Sequence, residues 1–282
     1  MECGSCGQAY PHQDGVLHLV SQPAGPPSYD PHYFAQLAEV ERRHFWFVSR
    51  RQVILDALRR TVPDLGHRAL FDVGCGSGGL LEFLGQSGVR IEGACDAYLQ
   101  SLQIVRHRVS VPLVLVDEGR LPPLGGGRSL VSLFDVLEHL DDDVGTLEFL
   151  RSVLEPGGVL LLTVPAHPFL FDEMDRLAHH RRRYGRAELA AKLARAGFEV
   201  RVLTHFMAPL VPALMVLRAL GRLWPRVRHD PARRRAAELR VVPGFNELMR
   251  APMWLERRWL AAGLDLPLGL SLLAVASRPS RE

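Results

Sequence analysis

Apolar positions alternate in two rhythms between Ala69 and Pro165. Leu70, Phe71 and Val73 make a short buried run, then four glycines intervene, and Leu80–Leu84 opens a helix. Four more runs follow: Val89–Cys95, Leu113–Val116, Leu130–Phe134 and Val159–Val164. Strands spaced by helices in this way call for a parallel sheet with helices on both faces. Upstream, residues 31–61 carry helical spacing, first Phe34, Leu37 and Val40, then Val53, Ile54, Ala57 and Leu58. Downstream, residues 187–196 form a helix stopped by Gly197, Phe198–His205 is a sixth strand, and Leu268–Ala276 closes the sheet antiparallel. The expectation is a seven-stranded, doubly wound α/β core over 31–205, completed by 266–282. The stretch 206–265 is longer than a hairpin needs and is expected to be a helical cap over the acceptor. Residues 1–30 read as a small Gly/Pro-rich unit ending in a linker, QPAGPPS.

The glycines carry the first chemistry. Gly74, Gly76, Gly78 and Gly79 fall between a strand and a helix, so backbone amides can approach a ligand closely. Gly74, Gly76 and Gly79 even match the spacing of a dinucleotide turn. Asp72 argues otherwise, because its carboxylate would repel a pyrophosphate and would suit an ammonium group. Asp96 ends the second strand 20 residues past Gly76, where an acid can take both ribose hydroxyls.

The stretch ALFDVGCGSGG resembles motif I of the class I S-adenosylmethionine (SAM) methyltransferases, with Asp72, Gly74, Gly76 and Gly78 in matching places. FDVLEHL, from Phe134 to Leu140, is close to the wording of ubiquinone- and menaquinone-type methyltransferases. HFWF-x-x-RR at 44–51 resembles the start of a methyltransferase group met beside glycosyltransferases and lipid-modifying enzymes. The resemblance implies SAM held by Asp72, Gly74, Cys75, Gly76, Gly78, Asp96, Ala97, Tyr98, Asp117, Glu118, Phe134, Asp135 and Arg50. Asp117-Glu118 would face the adenine amino group. The rings at 44–47 read either as a helix packed on the sheet edge or as a flap over the SAM cleft, with Arg50 or Arg51 near the methionine carboxylate. An NAD(P)-binding dehydrogenase is the rival reading, and it leaves Asp72, Asp117 and DVLEHL unexplained. A catalytically inactive SAM-binding module is the other alternative.

The acceptor side lies beyond the fifth strand. There the resembling group reads roughly D-x-x-x-G-H-x-R-R-Y, which places Asp175, His180, Arg183 and Tyr184 on its positions; His179 stands where that group usually has Gly. The expectation is that His180 serves as base for a hydroxyl acceptor, oriented by Asp175 with Tyr184 alongside. His139 and His167 also follow strand ends and are its rivals, and a solvated loop anchoring the next helix is the bland reading. The acceptor is expected to be a small molecule, hydrophobic or lipid- or sugar-linked.

Composition adds restraint. The charged residues balance to +3, too mild for a nucleic-acid partner, and Lys192 is the only lysine, so arginine clusters count for less. Eight arginines stand between 218 and 240 against Asp230 and Glu238, beside the uncharged Phe206–Leu217. That pairing suits a membrane headgroup region through 206–228, or else a segment covering the active site or pairing with a second copy in a homodimer. Twelve uncharged residues are too few to span a bilayer, which takes about 20. No secretory pattern opens the sequence, and four cysteines suit a reducing compartment, so a cytoplasmic protein is expected, with the inner membrane face as its other place. Cys3-x-x-Cys6 with Tyr10, Pro11, Asp14 and Gly15 resembles half of a zinc ribbon. A tetrahedral zinc needs four ligands, and only His12 or His18 could supplement the pair. A hairpin without metal is expected there, and no metal elsewhere.

Overall fold

A computed structural model describes residues 9–20, 31–212, 214–216 and 241–280. Its sheet comprises β1 (His12–Gln13), β2 (Val16–His18), β3 (Ala69–Val73), β4 (Arg90–Asp96), β5 (Leu113–Leu115), β6 (Arg128–Phe134), β7 (Leu154–Pro165), β8 (Glu199–Phe206) and β9 (Ser271–Ser277). The order across the sheet is β1-β2-β5-β4-β3-β6-β7-β9-β8. Strands β2, β5, β4, β3, β6 and β7 run parallel, while β9 pairs antiparallel with both β7 and β8.

The sheet thus has nine strands, and the seven expected are the core set. Val16, Leu17 and His18 pair in parallel with Leu113, Val114 and Leu115, so the N-terminal hairpin joins the sheet instead of standing apart. The Cys3/Cys6 knuckle lies outside the described residues, as does the arginine run of 218–240. The Glu155–Gly158 stretch forms a bulge inside β7, where the pairing with β6 shifts from Arg128↔Leu154 to Leu130↔Val159. No helix among the described residues is long and apolar enough to cross a membrane.

Helices are α1 (Pro31–Val40), α2 (Phe45–Thr61), α3 (Gly79–Gln86), α4 (Leu99–Val105), α5 (Asp143–Val153), α6 (Glu173–Leu177), α7 (Arg186–Arg195) and α8 (Pro243–Ala261). Alternation along the strands decides which side each one serves. Leu70, Leu130 and Leu161 meet α2, α3, α4 and α8, while Phe71, Val131 and Leu160 meet α5 and α7. Burying one such leucine completely contributes about 1.5–3 kcal/mol. Within 206–265, α8 is docked on the core. Asn246 accepts the Phe45 amide at 2.8 Å, Glu256 accepts the amides of Met207 and Ala208, and Arg257 pairs with Asp56.

The parallel order reverses between β3 and β6. Open sheets bind ligands at such a switch, beyond the carboxyl ends of the strands. Gly74, Asp96, Asp117, Asp135 and Ala166 all follow or end strands at that edge.

Candidate functional site

The glycine turn is tied to the next strand. The amides of Gly74 and Cys75 both donate to the Cys95 carbonyl, at 2.9 and 3.1 Å. Gly74 has φ +75°, and a Cβ there would meet Val136 Cγ2 at 2.3 Å. Gly76 has φ +52° and open space around its missing Cβ, the condition for a ligand to lie on the backbone. Its amide donates to Asp96 Oδ2 at 2.8 Å, and the Tyr98 amide to Asp96 Oδ1 at 3.0 Å. The Ala97 amide also donates to Asp96, and Tyr98 packs its ring 5.4 Å from Phe34. Gly78, in the left-handed region, caps α3.

Two buried acids dominate the electrostatics here. Burial raises Asp72 to about 7, against the pull of the Ser132 hydroxyl that donates to it at 2.5 Å. Burial likewise raises Asp96 to about 6, against the amides of Gly76, Tyr98 and Ala97 and the Ser101 hydroxyl. Neither forms a salt bridge among the described residues. The Cys75 thiol is pushed well up by burial, so it stays protonated. Buried carboxylates without a counter-ion, beside an open glycine backbone, fit a cationic nucleoside better than a pyrophosphate.

Arg50 reaches the same edge from α2. It pairs with Asp135 Oδ2 at 2.7 Å and donates to Thr163 Oγ1 at 2.9 Å, while Thr163 donates to Asp135 Oδ1 at 3.0 Å. Asp135 takes φ +56°, which turns the chain sharply out of β6 behind buried Phe134. Asp117 is part-buried and Glu118 exposed beyond β5. The rings at 44–47 divide: His44 caps α2, Phe45 is buried against Phe245, and Arg51 lies over Phe83.

Beyond Asp135 a 3-10 turn, Leu137–His139, meets the loop after α6. The Arg181 amide donates to the Glu138 carbonyl at 2.9 Å, which clamps the two segments together. Asp175 is 1% exposed and accepts from His180 Nδ1 at 2.9 Å and from Arg183 Nε at 2.8 Å. Burial alone would raise its carboxyl, but those two donors outweigh it and hold it below the usual range. His180 Nε2 lies 3.9 Å from Glu138 Oε1, and the rings of His139 and His180 meet edge to face at 4.9 Å. Burial, then the neighbouring His180, lowers His139 to about 4. His179 adopts φ +59°, the left-handed conformation for which a glycine is usual, so the loop keeps its shape with a histidine.

His180 and Asp175 therefore stand together, and Tyr184 stands apart from them. Its side chain is fully buried, with the hydroxyl 3.0 Å from Asp143 Oδ2 and 3.3 Å from the Leu137 carbonyl. Asp143 also takes Lys192 and Arg182, so Tyr184 is a core residue of the α5–α7 layer and not a companion of His180. His167 also goes elsewhere, stacking on His205 at 4.9 Å. An open concavity at β8, lined in part by Arg60, Arg186, Val200 and Asp265, shares no residue with this site.

The family recognised as the methyltransferase domain matches residues 41–203, more than half of the chain. This chain is a class I SAM-dependent methyltransferase. The ubiquinone biosynthesis O-methyltransferase of Marinobacter nauticus is 30% identical over 171 residues, 53% of this chain and 71% of that protein. The protein of that name from Pseudomonas aeruginosa strain UCBPP-PA14 is 27% identical over 156 residues, 49% of this chain and 67% of its own. Among solved structures, a chain from the complex of the Haloferax volcanii Trm112 methyltransferase activator aligns with TM-score 0.54 at 19% identity, covering 89% of this chain and 96% of that one. The [4+2]-cyclase SpnF aligns with TM-score 0.56 at 18% identity, covering 92% and 98%. Likeness at that level shows the Rossmann-like fold, which serves more than one reaction. SAM is the methyltransferase's cofactor, and the dehydrogenase alternative falls.

Three residues now in contact with the site were not singled out from sequence. Glu41 accepts from Ser77 at 2.5 Å, pairs with Arg108, and occupies the space a Cβ on Gly79 would need. Thr163 and Glu138 are the others. Thr163 and Glu138 are polar residues in otherwise apolar stretches, and that was the available signal; Glu41, followed by Arg42 and Arg43, offered none.

Proposed function

We propose that this methyltransferase moves the methyl group of SAM to a hydroxyl oxygen of a small, apolar or lipid- or sugar-linked acceptor. Asp72, Asp96 and the Gly74–Gly78 backbone would hold SAM, with Asp117 and Glu118 toward its adenine and Arg50 toward its carboxylate. SAM supplies an electrophilic methyl on a sulfonium. The chain's part is to bind, to align the acceptor and to keep water out.

The observation that carries the acceptor reading is the Asp175–His180 pair, whose Nδ1 contact at 2.9 Å leaves Nε2 turned toward Glu138. An imidazole so held has two uses toward a hydroxyl: taking its proton, or helping to hold a cation that acidifies it. Asp175 fixes the tautomer for either. The names of the relatives, O-methyltransferases of ubiquinone biosynthesis, support an oxygen acceptor of apolar character.

The test is a paired titration and assay. His180→Ala should leave SAM affinity within about twofold by calorimetry and cut turnover on a hydroxyl acceptor about 10²–10⁴-fold. Unchanged turnover would remove His180 from the reaction. Heat with NAD in place of SAM would overturn the cofactor assignment.

A further inference from the structure

Methyl transfer by proton abstraction alone makes no use of Glu138. Its side chain is wholly buried, and neither carboxylate oxygen has a hydrogen-bond partner. A buried carboxylate is carried at high cost unless a cation accompanies it.

Two imidazoles converge on that carboxylate. Glu138, His139 and His180 each present one donor atom, and the three atoms lie within 4.8 Å of one another. Both rings are held from behind. His180 Nδ1 meets Asp175 at 2.9 Å, and His139 is hydrogen-bonded to the His179 backbone. Each ring thus gives its far nitrogen to an orienting acceptor and keeps a lone pair on the other. Carboxylate and carbonyl partners behind imidazoles are the usual outer support of metal ligands. The clamp between Arg181 and Glu138 fixes the two ligand-bearing segments against each other.

We propose that Glu138, His139 and His180 bind one divalent transition-metal cation, which takes the acceptor's hydroxyl oxygen as a further ligand. Two imidazoles and one carboxylate suit manganese, iron, cobalt or zinc over magnesium or calcium. Three protein ligands leave positions open, as sites that bind substrate do. Donors at about 2.1 Å from an ion stand about 3.0–3.4 Å apart, so small side-chain rotations close the set from its present 4.8 Å span. Coordination lowers the pKa of a bound hydroxyl. The proton then leaves to solvent, and His180 acts as a neutral ligand, the second of its two uses. The role in the acceptor rests on the methyl-transfer reading; ion binding does not.

The experiment is a manganese titration of the full chain, stripped with chelator, followed by electron paramagnetic resonance of the free ion. Manganese avoids confusion with the Cys3/Cys6 pair, which would favour zinc. The expected result is one Mn²⁺ per chain, displaced by Zn²⁺, lost in Glu138→Gln and in His139→Ala, and unchanged in Cys3→Ser. Asp175→Asn should weaken it about 10–100-fold, the usual effect of removing an outer partner. SAM binding is measured on the same samples and should stay within about twofold in each. If Glu138→Gln also loses SAM, His139→Ala decides. A stripped chain that leaves free Mn²⁺ undiminished to about 1 mM, or binding that survives both ligand substitutions, overturns the site. Mn²⁺ bound without any SAM binding would instead sink the methyl-transfer reading and leave the site standing.

Discussion

Asp96 and Asp175 are both buried acids at one edge of one sheet, yet they live under opposite conditions. Asp96 receives backbone amides and a serine hydroxyl, none of them charged, and burial lifts it to about 6. Asp175 receives a guanidinium and an imidazole, which hold it below the usual carboxylate range despite burial. The β3–β4 half of the site leaves its carboxylates without a counter-ion and so has charge to offer a cationic ligand. The β6–α6 half spends its carboxylate internally, to fix a side chain. Attraction is the business of the first half and orientation that of the second.

The hardest blow to the first half should come from its frame. Glu41→Ala leaves buried Arg108 with only Glu82 at 3.9 Å and the Ala38 carbonyl, and chemical denaturation should register a loss of about 3 kcal/mol, the low end for a broken buried pair. A loss below about 1 kcal/mol would mean that the turn holds its shape unaided. Next, Asp96→Ala should weaken SAM by about 1–3 kcal/mol in calorimetry, the range for charge-assisted hydrogen bonds. Equal affinity in that variant would remove the distinction between the halves.

Acidity offers a finer test. The folded values of Asp72 and Asp96, about 7 and about 6, lie above those of an unfolded carboxylate. Their contribution to the stability of the free protein is therefore complete in acid and is lost as pH rises through 6 to 7. A cationic ligand favours the ionised forms, so SAM affinity should increase over the same interval, with up to about tenfold per pH unit for each proton released. A flat profile from pH 5.5 to 8 would separate these acids from the ligand. The smallest effect belongs to Tyr184→Phe, which should cost about 1 kcal/mol of stability. Turnover should hardly change, and a large loss would bring Tyr184 back beside the acceptor.

The first half was legible in the sequence because its parts are near one another along the chain. A strand, a glycine turn and acids at successive strand ends carry their geometry in their spacing. The second half was legible only as a list of residues. His180 and Asp175 were found, but Tyr184 was grouped with them, since a run of adjacent residues does not reveal which side of the backbone each one takes. Glu138 was read only as part of the FDVLEHL wording and given no role, because its meaning comes from contact with a loop some forty residues later. Strands β1 and β2, two and three residues long, are too short to show a period. That left the sheet two strands short of its true count.

Those two strands change how the protein should be handled. β2 lies along β5, whose outer row of amides and carbonyls would otherwise face solvent. Bare strand edges recruit other chains. Trimming the first thirty residues as a dispensable leader would uncover such an edge, and the shortened protein should self-associate on concentration while its cleft stays intact.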